Sequence, residues 1–291
     1  MAESARRGTL AAFAAFILWG MMPLYFRAFP DGVSPFEITL HRIFWTFVLL
    51  LIALGLTGGL GKALALFTRP RVIGTLAAST VLISINWFVY AWAAMNGHLA
   101  EASLGYYINP LVNVAFGVIF LHERLNRWRW LAVGLAALGV LNQIIVVGKP
   151  PWIALTLAFS FGAYGLLRKT VAAEAGEGLF VETLLVSPFI IGAMVWMESH
   201  GSGHFVHGAP ATQMLFLAAG LTITAPLTLF NYAARRIPLS TLGLIQYLAP
   251  SATFAMAIWF GETLTLGGLL TFVLIWAGLA LYSFDLLRRR G

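Results

Sequence analysis

Tyrosines, asparagines and a proline interrupt one long apolar stretch of this chain. In residues 101–124 the interrupting side chains are Tyr106, Tyr107, Asn109, Pro110 and Asn113. The stretch is long enough to cross a bilayer as a helix, and asparagine amides are costly in hydrocarbon unless they face protein or water. Because helical residues advance by about 100°, Tyr106, Asn109 and Asn113 share one narrow sector. The pattern predicts a polar face that lines a cavity for a small-molecule substrate.

The same arrangement returns 140 positions later. The matched positions are Leu99 with Leu239, Tyr107 with Tyr247 and Pro110 with Pro250. Proline-interrupted apolar segments at corresponding positions of two halves point to the binding site of a transporter. Each proline frees the carbonyl one turn before it, so we predict that Pro110 and Pro250 are hinges. A static kink, which membrane helices tolerate when neighbours satisfy the freed backbone, is the alternative.

Polar and aromatic side chains inside other apolar segments complete the predicted site. The predicted substrate-binding residues are Trp19, Arg42, Asn86, Tyr90, Tyr106, Asn109, Asn113, Tyr164, Gln246 and Tyr247. Trp19 and Tyr164 lie in the middle of their segments, which favours an interior position over the interfacial aromatic belt. An unpaired Arg42 would be costly in the membrane. It is therefore either a substrate-carboxylate or gating residue, or part of an internal salt link or a side chain that snorkels to the surface.

Acidic residues near the segment ends could cap helices, pair with arginine or carry protons. Glu123 and Glu262 each close an apolar run, which is typical of residues that cap backbone groups or pair with arginine. Glu182 is better placed to carry a proton, although a solvated helix end is the favoured interpretation for it. Coupling of transport to a proton or another ion stays open.

Three histidines and the absence of cysteine bear on metals and cofactors. His200, His204 and His207 have ligand-like spacing, but their glycine-rich loop lacks the rigid support that metal ligands need. The chain contains no cysteine, which excludes disulfides, thiol catalysis and thiolate metal sites. We predict neither a metal site nor a cofactor.

Composition identifies the class of protein. The 291 residues are 60% hydrophobic and 10% charged, whereas a soluble protein carries about a quarter charged residues. The net charge of +7 could suggest nucleic acid, but the basic residues lie in short loops between apolar runs. That distribution is typical of topology signals and of contact with membrane lipids, and no nucleic-acid partner is expected.

Ten apolar segments must position these side chains. They lie at 8–28, 36–57, 71–95, 101–121, 128–147, 151–171, 179–197, 212–234, 240–260 and 266–286. Each approaches the length of about 20 residues that crosses the hydrocarbon, and none alternates as barrel strands do. The sequence therefore predicts an all-α polytopic membrane protein with ten transmembrane helices. Most of its 18 basic residues fall on the side of the N-terminus, which predicts that both termini are cytoplasmic.

A second offset, of 145 positions, extends the internal repeat. It pairs Phe16 with Phe161, Trp19 with Tyr164, Gly20 with Gly165 and Glu37 with Glu182. Five segments per half is an odd number, so the two halves must have opposite topology. We predict two inverted five-helix repeats, in residues 1–149 and 150–291. Inverted repeats with a site near the midplane are a common transporter plan, and a duplication kept only for packing is the alternative.

Longer motifs resemble a known family. They are LWGMMPLYF at 18–26, EITLHRIFW at 37–45, NGHLAEASLGYYINPLVNVAFGVIFLHERL at 96–125 and LSTLGLIQYLAPS at 239–251. Together they resemble RarD-type proteins of the EamA-domain branch of the drug/metabolite transporter superfamily. The resemblance implies ten helices in two inverted repeats, a bacterial inner membrane and secondary transport through a central cavity. Related exporters move amino acids and other metabolites, and RarD proteins carry a chloramphenicol-sensitivity label.

The expected function follows from the repeat and the resemblance. It is secondary transport of small organic solutes (amino acids, metabolites or drugs such as amphenicols) across the inner membrane by alternating access, with export as the expected direction. The alternatives are a non-transporting membrane subunit and a membrane-embedded enzyme that acts on a lipid-linked substrate. The chain contains no HExxH, P-loop or G-x-S-x-G motif, so we do not expect an enzyme.

Overall fold

The computed structural model describes residues 2–96, 98–148, 152–259 and 266–288, and the regular elements within these ranges are helices. A short 3₁₀ helix covers Ala65–Thr68. The α-helices are α1 (Ala2–Gly20), α2 (Met22–Arg27), α3 (Pro35–Leu56), α4 (Leu60–Leu64), α5 (Pro70–Met95), α6 (Leu99–Leu121), α7 (Arg127–Val147), α8 (Trp152–Thr170), α9 (Ala175–Ser199), α10 (Pro210–Ala234), α11 (Leu239–Gln246), α12 (Leu248–Trp259) and α13 (Leu266–Arg288).

Eight helical spans in these ranges are long and apolar enough to cross a membrane. They correspond to eight of the ten predicted segments, with α1 and α2 counted as one span. The other two segments are also helical. One is α8, whose last turn carries Arg168 and Lys169, and the other is divided into α11 and α12. The chain is thus an all-helical, multi-pass membrane protein, and crossing by the last two segments stays a prediction.

Local sequence sets where several helices begin. Pro35, Pro70 and Pro210 occupy the first positions of α3, α5 and α10, where the fixed φ of proline fits and its missing N–H costs nothing. Ser34 caps α3, because its hydroxyl oxygen accepts a hydrogen bond from the Glu37 backbone N–H at 3.0 Å. This cap starts α3 so that its first turns present the polar residues of the second segment to the interior.

The two proline-containing copies differ in helix continuity. α6 runs through Pro110 without a break, whereas Tyr247 separates α11 from α12 shortly before Pro250. At this break the Tyr247 N–H donates to the Leu244 carbonyl at 3.3 Å, which is the shorter span of a 3₁₀ turn. The second copy is therefore a pair of half-helices, and the first copy is one helix.

Aromatic rings and close backbone contacts fill the interior. Phe16, Tyr164 and Phe230 are fully buried, and the Phe230 ring lies 6.1 Å from that of Phe16 and 6.3 Å from that of Tyr164. Glycine brings α10 onto α3, because a Cβ at Gly220 would lie 2.5 Å from the Trp45 carbonyl oxygen. Small residues at such contacts are typical of helix packing in membranes.

The helices pack in matching pairs. α10 packs against α1 and α3, and α5 packs against α8 and α9. α1 also packs against α12, as α8 does against α6. Three further pairs join counterparts directly, namely α3 with α9, α6 with α11 and α7 with α13. Exchanging each first-half helix with its second-half counterpart leaves this set of contacts unchanged, which is what a twofold relation between the halves would produce.

Candidate functional site

Contacts between distant residues define two ends of the bundle. At one end the Tyr25 hydroxyl of α2 donates to the Leu215 carbonyl near the start of α10, at 3.0 Å. At the other end the Lys169 ammonium, in the last turn of α8, donates to the Ala234 carbonyl at the end of α10, at 2.8 Å. We call these the α2 end and the α4 end, after the short helix that lies at each.

A cavity of about 570 Å³ lies in the half of the bundle nearer the α2 end. Its walls come mainly from α2, the first turns of α3, the second half of α5, the first half of α6 and the first half of α12, with one or two residues each from α1, α8, α10, α11 and α13. The predicted site residues in its lining are Trp19, Arg42, Asn86, Tyr90, Tyr106, Asn109, Gln246 and Pro250. The volume and the mainly apolar walls with a few polar groups are typical of small-molecule sites.

Amides of three helices form the polar floor of this cavity. The Asn86 Nδ2 donates to the Leu157 carbonyl at 2.8 Å, and the Asn109 Nδ2 donates to the Ala158 carbonyl at 2.9 Å. α8 therefore fixes both asparagines through its own backbone. Within the described residues, the Asn86 Oδ1 and the Gln246 Nε2 have no hydrogen-bond partner, so an acceptor and a donor stay available to a ligand.

Three other predicted residues, Asn113, Tyr247 and Pro110, lie outside the cavity lining. The buried Asn113 donates from Nδ2 to the Gln246 Oε1 at 2.8 Å, so it orients Gln246 across the contact between α6 and α11. The fully buried Tyr247 donates its hydroxyl to the Tyr107 carbonyl at 3.1 Å. Pro110 presents its carbonyl to Gly243 of α11. These residues contact the opposite half of the chain and not the cavity.

The fourth residue outside the lining is Tyr164, which the sequence places at the cavity. Its hydroxyl instead donates to the Glu182 carboxylate at 3.2 Å and accepts from the Asn231 Nδ2 at 2.8 Å. Ser79 donates to the other oxygen of Glu182 at 2.5 Å, and the Arg168 Nε lies 3.7 Å from it. Tyr164 therefore belongs to a buried polar cluster toward the α4 end.

The same cluster corrects the favoured interpretation of Glu182 as a solvated helix end. Its side chain is 2% exposed and that of Arg168 is 0% exposed. The guanidinium reaches the Ala175 carbonyl at 3.0 Å and lies against the backbone of Gly178, where a Cβ would overlap it. A buried charge pair of this kind is held by mutual attraction and hydrogen bonds, not by solvent.

Arg42 is the charged residue that the sequence singles out most sharply. It is 8% exposed, and its Nε donates to the Thr222 hydroxyl at 2.9 Å. Its guanidinium also lies 5.5 Å from the Phe26 ring centroid and 3.8 Å from the Met22 sulfur. The internal salt link, one of the predicted alternatives, does not form among the described residues, because its contacts there are a hydroxyl, a ring and a sulfur.

Glu123 accepts hydrogen bonds from backbone groups at the α4 end. Its carboxylate accepts from the Leu239 N–H at 2.6 Å and from the N–H and hydroxyl of Ser240 at 2.9 and 2.6 Å. The predicted capping of backbone groups is confirmed, and the helix that Glu123 caps is α11 of the other half. Nothing in the sequence shows that the partner lies more than a hundred residues away. Glu262, the matching residue, lies outside the described residues.

One of the three histidines, His204, joins the loop to α3. The His204 backbone N–H donates to Glu37 Oε1 at 2.5 Å, and its ring Nδ1 lies 2.8 Å from Glu37 Oε2. Glu37 is 3% exposed, so this pair pins the 200–208 loop onto the start of α3. His204 thus serves as a partner for Glu37.

Comparisons with known proteins give the family. A model described as the EamA-like transporter family matches residues 6–143. The chain is 42% identical over 285 residues to Protein RarD of Salmonella typhi, covering 98% of this chain and 97% of that protein. It is 40% identical over 284 residues to an uncharacterized transporter of Vibrio cholerae, covering 97% and 94%.

A solved crystal structure shares the fold. It superposes with a TM-score of 0.71 at 21% sequence identity and covers 94% of this chain and 96% of its own. The sequence matches, in contrast, extend over nearly the full length at about twice that identity. From these matches, the chain belongs to the EamA-like transporter family of the drug/metabolite transporter superfamily, as a RarD-type member.

Proposed function

We propose that this chain is a secondary transporter that moves small organic solutes across the bacterial inner membrane by alternating access. The observation that carries the proposal is the unequal state of the two ends. The cavity reaches toward the α2 end, whereas Glu123 of the first half holds α11 of the second half at the α4 end. A site that is accessible from one side and closed on the other is one state of an alternating-access cycle.

In the proposed inverted repeat, exchange of the conformations of the two halves gives the inward-open state. Exchange of the halves leaves the helix pairs named above unchanged, and an odd number of segments per half inverts one half relative to the other. We propose residues 1–149 and 150–291 as the two repeats. With both termini cytoplasmic, the α2 end faces outward and the α4 end faces the cytoplasm. Release of Glu123 from α11 then opens the cavity inward.

Pro110 and Pro250 are proposed as the points about which α6 and α12 bend. Support comes from the break at Tyr247, since the second copy already consists of two half-helices. Pro110 touches Gly243 of α11, so bending of one copy is transmitted to the other. Membrane helices accommodate such prolines when neighbours satisfy the freed backbone groups.

Substrate, direction and coupling complete the proposal. The substrates are small organic solutes such as amino acids, other metabolites or amphenicols, and the direction is export. Glu182 is the buried carboxylate proposed to carry a coupling proton, because its hydrogen bonds reach Ser79 in the first half and Tyr164 in the second. The polar floor of the cavity is the proposed substrate site.

Single cysteines test the proposal without a known substrate, since the chain contains none of its own. Ser103→Cys lies in the cavity lining, and Ile237→Cys lies buried at the α4 end. An impermeant maleimide added outside should label the thiol at position 103 and leave the thiol at position 237 unlabelled. Adding Glu123→Ala should raise labelling at position 237 from the cytoplasmic side and lower labelling at position 103 from outside.

The control for this experiment is Ser202→Cys in the exposed outer loop. Its labelling should be the same with and without Glu123→Ala. A non-transporting subunit would instead keep a fixed pattern at positions 103 and 237, and that result would contradict the proposal.

A further inference from the structure

Arg42 holds an unbalanced positive charge at the wall of the cavity. A carboxylate lies beside the buried Arg168 and beside the partly buried Arg129, namely Glu182 and Asp285. Among the described residues, no carboxylate approaches Arg42 in this way. Its guanidinium offers five N–H donors, and Thr222 and Met22 receive one contact each. Donors therefore remain that can face the cavity.

The rest of the lining does not neutralise this charge. No aspartate, glutamate or lysine belongs to the described lining. Tyr90 and Tyr106 complete the polar wall as neutral hydroxyl groups. Low-dielectric walls strengthen the attraction between such a site and an anion. The charge pattern of the cavity thus favours a negatively charged ligand and disfavours a cationic one.

The remaining walls define the body of that ligand. They are rich in aromatic rings: Phe16, Trp19, Phe26, Trp87, Phe161 and Phe254. A cavity of about 570 Å³ with such walls buries an aromatic or branched apolar group. The Asn86 Oδ1 and the Gln246 Nε2 on the floor can bind a polar substituent at the far end of the body.

We infer that the cavity binds an amphipathic organic monoanion whose carboxylate pairs with Arg42 and whose apolar or aromatic body lies on the ring-lined walls. The inference rests on the proposed transport function and narrows its substrate class. Guanidinium and carboxylate match in planar, two-pronged geometry, which makes this pairing stronger than a neutral hydrogen bond. Because the described lining holds no carboxylate for an ammonium group, a zwitterionic amino acid should bind more weakly than the corresponding acid without the amine.

Calorimetric binding to the full-length protein in lipid nanodiscs tests this inference. The probes share one body: 3-phenylpropanoate, 3-phenylpropanamide, 3-phenylpropylamine and phenylalanine. We expect the carboxylate to bind about tenfold or more tighter than the amide, phenylalanine to bind less tightly than the carboxylate, and the amine not to bind. Equal binding of the acid and the amide, preference for the amine, or no binding of any probe would overturn the inference.

Variants place the anion at Arg42. Arg42→Gln should remove most of the difference between the acid and the amide, whereas Arg42→Lys should keep part of it. Arg236→Gln is the matched control, since Arg236 contacts Tyr232 outside the cavity and its removal should leave all four affinities unchanged. Unchanged discrimination in Arg42→Gln would contradict the assignment. If that variant does not fold, the four probes on the unaltered protein decide the question.

The binding result is separable from the proposed function. Loss of the anion preference with reciprocal cysteine labelling intact would overturn the substrate class alone. A clear preference for anions, together with cysteine labelling at positions 103 and 237 that Glu123→Ala does not change, would instead indicate an anion-binding site in a protein without alternating access.

Discussion

Two buried arginines mark the two ends of this molecule, and their surroundings differ. Arg168, toward the α4 end, lies beside Glu182, and backbone carbonyls accept from its guanidinium. Arg42, toward the α2 end, contacts a hydroxyl, a ring and a thioether at the edge of a cavity. The first charge has a carboxylate beside it inside the bundle, and the second lies at the cavity without one among the described residues. This difference separates a charge paired inside the protein from a candidate binding residue.

The same contrast extends to the backbone. At the α4 end Glu123 occupies the first N–H groups of α11, whereas at the α2 end the cavity separates α2 from α12. Glu123 therefore joins the two halves at the α4 end, whereas Arg42 and Asn86 toward the α2 end belong to the cavity lining. Substitutions at the two ends test this difference.

Removing one member of the buried pair should be the most damaging change. Arg168→Met leaves Glu182 as a buried charge without its cation, which we expect to destabilise the protein by about 3–5 kcal/mol. Arg42→Met, which leaves no carboxylate unpaired, should cost clearly less. Thermal unfolding of the purified variants measures both. Equal losses of stability would remove the distinction between the two arginines.

A methyl group beside Arg168 should have an intermediate effect. Gly178→Ala places a Cβ where the guanidinium lies, so the Arg168 side chain must leave its present position, at a cost of about 1–3 kcal/mol. The matched control is Gly176→Ala in the same helix, where no neighbouring atom lies within 4 Å of the added Cβ. Unfolding curves of the two variants should separate; coincident curves would show that the guanidinium position is not tightly fixed.

Loss of the Glu123 cap should lower the free energy of unfolding by less than the changes at Arg168, and its effect should be confined to the start of α11. Glu123→Ala leaves the Leu239 and Ser240 N–H groups without their acceptor, which we expect to cost about 1–2 kcal/mol. Hydrogen exchange should therefore accelerate at the start of α11 and not in α3. Uniform acceleration across both helices would indicate general destabilisation in place of local opening.

The smallest effect is expected at the solvent-exposed pair of the same end. Arg235 and Glu174 lie 2.8 Å apart, but the Glu174 side chain is 60% exposed. Glu174→Gln should change stability by less than about 1 kcal/mol, because water screens exposed pairs. A larger loss, seen in the same unfolding assay, would mean that closure of the α4 end depends on this surface contact as well as on Glu123.

Much of this molecule could be predicted from residue type and spacing. Apolar segment length and scarcity of charge indicate a multi-pass membrane protein, and asparagines in the membrane indicate an interior polar face. Asn86 and Asn109 do line the cavity, because lipid offers an amide no partner.

The position of Tyr164 differs from the prediction for a reason that the proposed inversion explains. Trp19 and Tyr164 are matched positions of the repeat, and sequence reasoning assigns both the same role. In an inverted repeat, however, matched residues away from the midplane lie toward opposite sides of the membrane. Trp19 lines the cavity toward the α2 end, while Tyr164 joins Glu182 toward the α4 end. Sequence spacing shows which positions correspond, but not which end is open.

Contacts between the two halves also could not be predicted from the sequence. The spacing identifies Glu123 as a helix-end residue, yet its partners at Leu239 and Ser240 depend on how α6 packs against α11. For the same reason the sequence cannot tell that Arg168 has a carboxylate partner while Arg42 has none among the described residues. Both distinctions arise from tertiary packing alone.

Alternating access requires that the two ends open reciprocally. Pulsed electron–electron double resonance measures this with two pairs of spin labels, one at Ala28 and Phe254 near the α2 end and another at Arg124 and Arg236 near the α4 end. With Glu123→Ala, we expect a longer distance for the second pair and a shorter distance for the first in the same sample. Lengthening at the α4 end with no change at the α2 end would contradict alternating access.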